Sequence, residues 1–237
     1  MKKSILSLLI ILVLILTGCT EKEQVVPLII YDYQDLYMQD FENLIFQEDA
    51  YDSYRYVSYD SKNSQIIQNE AVNQVLLDNP QVIIVNPVDR LGVYPIIEKV
   101  QEENISIIFI NREPLKEDLE LYSNVFYVGA KAEQSAIYQA EIIIDLFGGN
   151  PNNLNQYDTN EDNIIQCVIL KGEPGHQDAE IRTTKVIEQL QDEGYEVEIL
   201  SIEDAYFSQD IAMEKMRELL PILGPQIEIV ISNNDAM

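Results

Sequence analysis

Apolar runs alternate with amphipathic segments along most of the chain. Eight runs predict strands, at residues 25–33, 54–59, 81–85, 105–110, 125–128, 165–171, 195–200 and 227–232. Between them, apolar residues at three- and four-residue intervals predict helices at residues 36–46, 64–77, 93–103, 134–147, 178–193 and 209–223. Strands that are apolar without interruption and separated by helices are typical of parallel sheets covered on both faces. The pattern therefore predicts an α/β protein built from doubly wound parallel sheets.

The number of strands indicates two sheets and hence two lobes. The irregular stretch 148–163 is a poor boundary between the halves. A better boundary lies near residues 111–127, where the strands of the first sheet are complete. We therefore predict an N-terminal lobe over residues 25–130 and a C-terminal lobe over residues 131–237. In open parallel sheets, ligands bind beyond the carboxyl ends of the strands. Candidate binding residues should thus directly follow the predicted strands.

Polar and aromatic side chains occupy several of these strand-end positions. The candidates are Asp35, Tyr37, Asn111, His176, Asp178, Arg182, Phe207 and Asn234. Sugar hydroxyls both donate and accept hydrogen bonds, so carboxylates, amides and a guanidinium can satisfy them, and aromatic rings can cover the C–H faces of a sugar. No basic cluster or glycine-rich phosphate loop is present. The set favours a neutral, polyhydroxylated ligand.

Each candidate also has a structural interpretation when it is considered alone. Asp35 is placed to cap a helix, and Asn234 is placed to do the same. Asp178 and Arg182, four residues apart, would more often be a surface pair that contributes about 0.3–0.5 kcal/mol. Aromatic side chains such as Phe207 and Tyr37 would ordinarily pack in a core, and His176 would be an ordinary loop residue. Only their shared placement at strand ends supports a site.

The first residues predict export from the cytoplasm. Lys2 and Lys3 precede an apolar run over residues 4–16, and Thr17-Gly18-Cys19 follows, which is the organisation of a signal peptide. The run is shorter than the roughly 20 residues that a membrane-spanning helix needs. The ending also resembles a bacterial lipobox, so we expect a signal peptide over residues 1–18, lipid on Cys19 and a tether over residues 19–24. An uncleaved anchor helix is the alternative. Both interpretations place the rest of the protein outside the cytoplasm, at the cell membrane.

Composition narrows the partners and the chemistry. The chain has 41 acidic and 15 Lys and Arg residues and a net charge of −26, which argues against nucleic acid as a partner. Of its two cysteines, Cys19 is assigned to the lipid and Cys167 lies in an apolar strand, so we expect no disulfide in the mature chain. A single histidine excludes metal sites built from several histidines.

A calcium site is predicted from the spacing of oxygen-bearing residues in the loop that begins at Asp158. Positions 1, 3, 5 and 9 carry oxygen side chains and position 7 offers a backbone carbonyl, as in an EF-hand loop; the residues are Asp158, Asn160, Asp162, Gln166 and Ile164. Asn163 replaces the usual glycine at position 6, which is tolerable because asparagine visits the left-handed region. Ile169 replaces the usual glutamate at position 12. The alternative is an ordinary solvated loop.

Two segments carry a resemblance to a known family. The sequence KGEPGHxDAExRTT at residues 171–184, together with IExVIxNNDAM at residues 227–237, resembles the galactose/glucose-binding proteins of bacterial sugar ABC transporters. The resemblance implies the type I periplasmic binding protein fold, with two doubly wound lobes joined by a hinge. It implies that the polar strand-end candidates bind a hexose in the interlobe cleft, where Tyr37 and Phe207 take the places of stacking rings that are Phe and Trp in better-known members. It also implies that Glu228 supplies the missing carboxylate of the calcium site.

The resemblance implies a monomeric binding protein that captures galactose or glucose and delivers it to a membrane permease, with no catalytic residues. A sensor that presents the sugar to a chemoreceptor or sensor kinase is the alternative. A DNA-binding repressor of the same fold disagrees with the export signal. A glycosidase would need paired acids such as Asp178 and Asp235, but the chain has no distinctive motif for that chemistry.

The resemblance also bears on the C-terminal lobe. In the family, further strands and further sugar ligands follow the position of Met237. We therefore expect the C-terminal lobe of this chain to be incomplete, with one apolar sheet edge uncovered.

Overall fold

The computed structural model describes residues 24–47 and 54–237, and these residues form two compact units. The first unit extends to Ile110 and includes Pro114–Tyr127, and the second unit comprises Asn111–Glu113 and Val128–Met237. The predicted signal peptide and Cys19 lie outside the described residues. Within the part of the chain that is described, no helix combines the length and the apolar character that crossing a membrane requires.

The first unit is a five-stranded sheet with helices on both faces. Its elements are β1 (Gln24–Ile30), α1 (Leu36–Gln47), β2 (Tyr54–Asp60), α2 (Gln65–Leu76), β3 (Val82–Val85), α3 (Tyr94–Glu102), β4 (Ser106–Ile110), α4 (Lys116–Leu119) and β5 (Val125–Val128). The strand order is β2-β1-β3-β4-β5, and β1 pairs in parallel with both β2 and β3. β1 therefore has a neighbouring strand on each side, and helices pack on both of its faces.

The covering of both faces explains the uninterrupted apolar run of β1. Leu28, Ile29 and Ile30 are all fully buried. Ile29 packs in a cluster with residues of α2 and α3, whereas Leu28 and Ile30 pack in a separate cluster with Met38 of α1. Successive strand residues point to opposite faces, so a strand between two helix layers needs an apolar residue at every position.

The second unit repeats this organisation around three strands. Its elements are α5 (Ala132–Leu146), β6 (Ile164–Lys171), α6 (Gln177–Asp192), β7 (Glu196–Asp204), α7 (Gln209–Leu223) and β8 (Ile229–Ser232). The strand order is β7-β6-β8, and both pairings are parallel. Alternate residues of β6, such as Cys167, pack with α5 and α6, whereas Leu170 packs with α7. Burial raises the pKa of the Cys167 thiol to about 12, which fits its role as a small apolar core residue.

The predicted α/β architecture with parallel sheets is confirmed, and some local features differ from the prediction. The four-residue helix α4 was not predicted, because so short a helix shows no periodicity. The strand β7 continues to Asp204 rather than ending at Leu200. Its register with β6 shifts between Cys167 and Val168, so that Leu200 is an extra residue on β7. Much of β7 is exposed, and the apolar pattern is therefore weak there.

Candidate functional site

The loop between β6 and α6 carries predicted site residues at the carboxyl end of β6 in the second unit. His176 is the N-cap of α6, and its Nδ1 accepts a hydrogen bond of 3.2 Å from the backbone N–H of Asp178. In a neutral ring this bond places the proton on Nε2. His176 and Asp178 are only 7% and 6% exposed. Two predicted ligand residues are thus held side by side at the start of one helix.

Arg182 joins these residues into a buried network. Its Nη2 donates to Asp178 Oδ2 at 2.7 Å, and its Nη1 donates to the carbonyl of Asn233 at 2.9 Å. The two side chains of the pair are 9% and 19% exposed, so the pair is not the surface pair that the spacing alone would suggest. Burial raises the pKa of the Asp178 carboxyl, and the nearby Arg182 charge lowers it by a smaller amount. Among the described residues, Arg182 Nε is buried without a hydrogen-bond partner.

Asn233, and not Asn234, completes this network. Asn233 is 4% exposed, and its Oδ1 accepts from the N–H of Gly172 at 2.9 Å and from the hydroxyl of Thr183 at 3.2 Å. Asn234 is half-buried, and its Oδ1 accepts from the N–H of Met237 at 3.1 Å. Asn234 rather than Asn233 was the predicted site residue, although the alternation that buries Ile231 also turns Asn233 inward. The sugar-binding role of Asn234 stays a prediction.

Phe207 lies directly over the backbone of the same loop. Its ring meets the His176 ring edge-on, with centroids 5.2 Å apart and planes at 77°. A Cβ placed on Gly172 would approach the Phe207 ring to 2.2 Å, so only glycine allows this contact. Tyr206 and Phe207 both have left-handed backbones, with φ of 53° and 58°. Such strain is commonly found at functional sites, and the half-buried Phe207 is not a simple core residue.

Replacing Gly172 with alanine is expected to lower the free energy of unfolding by about 1–3 kcal/mol, because the new methyl group must displace the Phe207 ring. Urea unfolding followed by circular dichroism measures this change. The matched control is Gly224→Ala, whose Cβ would meet only a Leu220 side-chain carbon at 3.8 Å. Equal unfolding midpoints for the two variants would show that the ring contact is unimportant.

Asn111 belongs by its contacts to the second unit. Its backbone is left-handed, with φ of 62°, and its carbonyl accepts a hydrogen bond of 2.7 Å from Nε2 of Gln177. The next residue, Arg112, forms an ion pair with Glu173 at 2.5 Å, and the Arg112 side chain is 6% exposed. These bonds bring Asn111 to the start of α6, beside Asp178. Gln177 was not among the predicted site residues, since no local pattern distinguishes it from other loop-end glutamines.

In the first unit, Asp35 follows β1 as predicted and caps α1. Its Oδ1 accepts from the N–H groups of Tyr37 and Met38 at 2.8 and 3.2 Å, and its Oδ2 accepts from the Tyr31 hydroxyl at 2.5 Å. The capping interpretation therefore describes Asp35 in this structure, and its contact with a sugar stays a prediction. The Tyr37 side chain is 57% exposed, which excludes the core interpretation for that residue.

A buried amide network that was not predicted ties together the strand ends of the first unit. Asn86, which follows β3, donates from Nδ2 to the carbonyl of Ile110 at 3.1 Å and accepts from the N–H of Tyr31 at 3.3 Å. Gln68 of α2 donates to the carbonyl of Asn86 at 2.9 Å. Asn86 was not among the predicted site residues. The rule of strand-end positions, applied to Asn86, would have identified it.

The predicted calcium loop adopts an ordered turn. Asp158 accepts from the N–H groups of Asp162 and Asn163 at 3.2 and 2.9 Å, and Asn160 Oδ1 accepts from the N–H of Asp162 at 3.0 Å. Asp162 in turn accepts from the N–H of Ile164 at 2.9 Å. Asn163 has φ of 63°, the left-handed backbone expected at position 6. The spacing of the residues therefore produces a loop that curls around its own oxygen side chains.

Glu228 and Gln166 lie against this loop. Glu228 Oε1 accepts from the N–H of Thr159 at 2.6 Å, and Oε2 accepts from the N–H of Gln166 at 3.2 Å. Gln166 is 3% exposed, and its Oε1 is buried with no partner among the residues that the structure describes. No three acidic, cysteine or histidine side chains within those residues come close enough to hold a metal. The oxygen set is therefore mixed, and Ca²⁺ accepts such sets of carboxylate, amide and carbonyl oxygens.

Comparisons with known proteins agree with this architecture. A model of the periplasmic binding protein domain matches residues 26–237. The D-galactose/methyl-galactoside binding periplasmic protein MglB of Haemophilus influenzae is 35% identical over 210 residues, covering 88% of this chain and 62% of that protein. The chain spans less than two thirds of the length of the curated relatives that it matches.

Solved structures show the same fold. An ABC transporter solute binding protein from Bacillus halodurans with bound myo-inositol superposes with a TM-score of 0.74 at 25% identity, covering 93% of this chain and 69% of that one. A periplasmic solute binding protein from Actinobacillus succinogenes with bound D-allose gives a TM-score of 0.75 at 17% identity, covering 90% and 70%.

Proposed function

The chain belongs to the periplasmic binding protein family, and we propose that it is the substrate-binding protein of a sugar ABC importer, with galactose or glucose as its ligand. Members of this family are solute-binding components of transport systems located outside the cytoplasm, and they do not catalyse reactions. Binding, rather than chemistry, is therefore the activity to be explained.

The observation that carries the proposal is the buried network at the start of α6. Asp178 offers a carboxylate acceptor, Arg182 offers guanidinium donors, and His176 is fixed beside them. Hydrogen bonds in which one partner is charged are stronger than neutral ones, and a neutral hexose supplies hydroxyls that can donate and accept. A phosphorylated ligand would require more positive charge than the single Arg182 provides at this network. The Phe207 ring beside His176 provides an apolar surface for the C–H face of a pyranose.

The choice of galactose or glucose is supported by the 35% identity with a relative named for binding D-galactose and methyl-galactosides. The first-unit candidates Asp35 and Tyr37 and the second-unit candidates Asn111 and Asn234 enter the proposal through the family resemblance. We further propose a membrane permease as partner, attachment through lipid on Cys19, and a monomeric state.

Calorimetric titration with D-galactose and D-glucose tests the proposal. We expect saturable binding of at least one of the two sugars at one site per chain. Titrations with D-allose and myo-inositol serve as comparisons, because neighbouring structures hold these compounds. The absence of saturation with either hexose would contradict the proposal. Release of nitrophenol from a nitrophenyl galactoside would also contradict it, since it would show catalysis.

We propose in addition that the loop beginning at Asp158 binds one structural Ca²⁺. The ligands would be the side chains of Asp158, Asn160, Asp162, Gln166 and Glu228 and the carbonyl of Ile164. The unpartnered, buried Oε1 of Gln166 supports this proposal, because a buried acceptor without a partner costs about 1–3 kcal/mol. A bound cation would remove this cost and would offset the repulsion between the carboxylates.

A further inference from the structure

Gln177 connects two residues of the proposed sugar site without being one of the predicted ligands. Its Nε2 donates to the carbonyl of Asn111 at 2.7 Å and to Oδ1 of Asp178 at 3.3 Å. Both donor bonds leave from the same amide nitrogen, which carries two hydrogens. The side chain is 8% exposed, so these bonds form away from bulk water, where electrostatic interactions are less screened.

The orientation of the Gln177 amide is determined by chemistry. The nitrogen and oxygen of an amide are normally assigned from the surrounding hydrogen bonds. Here the neighbours are a carbonyl and a carboxylate oxygen, and the carbonyl can only accept. The nitrogen must therefore face Asn111 and Asp178. The oxygen, Oε1, then lies on the other side, buried and without a partner among the described residues.

A glutamine in this position is costly for stability. An unsatisfied buried acceptor costs about 1–3 kcal/mol, which is comparable to the net contribution of the two bonds that Nε2 makes. An apolar side chain of the same length would avoid the unsatisfied oxygen, but it would also take a donor away from the Asn111 carbonyl and from the buried Asp178 carboxylate. The two effects on stability oppose each other, whereas the pairing of the Gln177 donors with two site residues gives a clear reason for glutamine.

We propose that Gln177 is a positioning residue of the sugar site. Its amide nitrogen holds the Asn111 backbone and the Asp178 carboxylate in a fixed relation, so that both residues are in place before the hexose arrives. Asn111 has a left-handed backbone, which is disfavoured for residues other than glycine and needs such support. Preorganisation improves affinity because less conformational freedom is lost on binding. This inference rests on the proposed hexose function.

The test compares two variants with the full wild-type chain. Gln177→Met keeps the length of the side chain but removes both donors, and we expect at least a tenfold higher Kd for the bound hexose. Gln177→Glu keeps the shape and Oε1 but turns a carboxylate oxygen toward the Asn111 carbonyl and Asp178. We expect its Kd to rise at least tenfold beyond that of the methionine variant. A purely structural role for the amide would lower the unfolding midpoint of both variants without raising the Kd of the folded protein.

Calorimetric titrations with D-galactose and D-glucose give the dissociation constants, and circular dichroism confirms that each variant is folded. The matched control is Gln191→Met, at an exposed position in the last turn of α6, and its affinity should equal that of the wild type. If the wild type binds neither sugar, the hexose function itself is wrong. If the wild type binds and both Gln177 variants bind as tightly as the wild type, only the positioning role is wrong.

Discussion

Replacing Arg182 with methionine is expected to raise the Kd for the hexose at least a hundredfold. Arg182 holds Asp178 at 2.7 Å and the carbonyl of Asn233 at 2.9 Å within a largely buried network. Without the guanidinium, the Asp178 carboxylate stays buried but loses its counter-charge. Breaking a buried pair by removing one partner typically costs about 3–5 kcal/mol, and binding would lose both the donor and the alignment of the acceptor. Calorimetric titration with galactose and glucose measures the loss.

The pH dependence of binding gives a second measurement on the same variant. Burial already raises the pKa of Asp178, and the Arg182 charge lowers it in the wild type. Loss of Arg182 removes this lowering influence, so Asp178 takes up its proton at a higher pH. As the solution is acidified, the affinity of Arg182→Met for the hexose should therefore begin to fall at a higher pH than the affinity of the wild type.

The control for Arg182→Met is Lys185→Met on the same helix. Lys185 pairs with Glu188 at the surface, with side chains 46% and 54% exposed, so its removal should leave the affinity unchanged. If both variants bind as the wild type does, the network at the start of α6 is not the sugar site.

The second large expected effect is a lower thermal midpoint of unfolding when Ca²⁺ is removed. A ligand present at 1,000 times its Kd stabilises the folded state by about 4.1 kcal/mol, and a chelator removes this contribution. Differential scanning calorimetry with and without excess chelator measures the shift, and Mg²⁺ should not reproduce it because it demands a more rigid octahedral site.

The variant Glu228→Gln assigns the calcium effect to the proposed loop. Glu228 reaches the N–H groups of Thr159 and Gln166, and its replacement should abolish most of the chelator-sensitive stabilisation. Glu218→Gln makes the same change of charge at an exposed position on α7 and should keep the full response. A midpoint that does not respond to chelation in the wild type would contradict the calcium proposal.

Features that depend on short stretches of sequence were predictable. The apolar runs of β1 and β6 predicted buried strands, and the structure buries both of these strands on two faces. Asp35 was open to interpretation as a helix cap, and it does cap α1. The spacing of Asp158, Asn160 and Asp162 predicted an EF-hand-like loop, and Asp158 and Asn160 do accept hydrogen bonds from backbone N–H groups of that loop. In each case the geometry follows from the fixed periods of helices, strands and turns.

Features that join distant residues were not predictable from the residues alone. Asn233 bonds Gly172, 61 residues away, and Gln177 bonds Asn111, 66 residues away. Glu228 reaches Thr159, 69 residues away, and was proposed only through a family resemblance. Asparagine, glutamine and glutamate are common in exposed loops, so the residue type alone does not reveal these distant partners.

The sequence by itself thus determined the α/β class and the parallel sheets, and it predicted a region for the site. Local periods and strand-end positions carry that information along the chain. The tertiary structure decided which side chains are buried: Asn233 is buried whereas Asn234 is half-buried, and Asp178 and Arg182 form a largely buried pair rather than a surface one. Proximity and burial depend on the strand order β7-β6-β8 and on its register, and no short stretch of sequence specifies these.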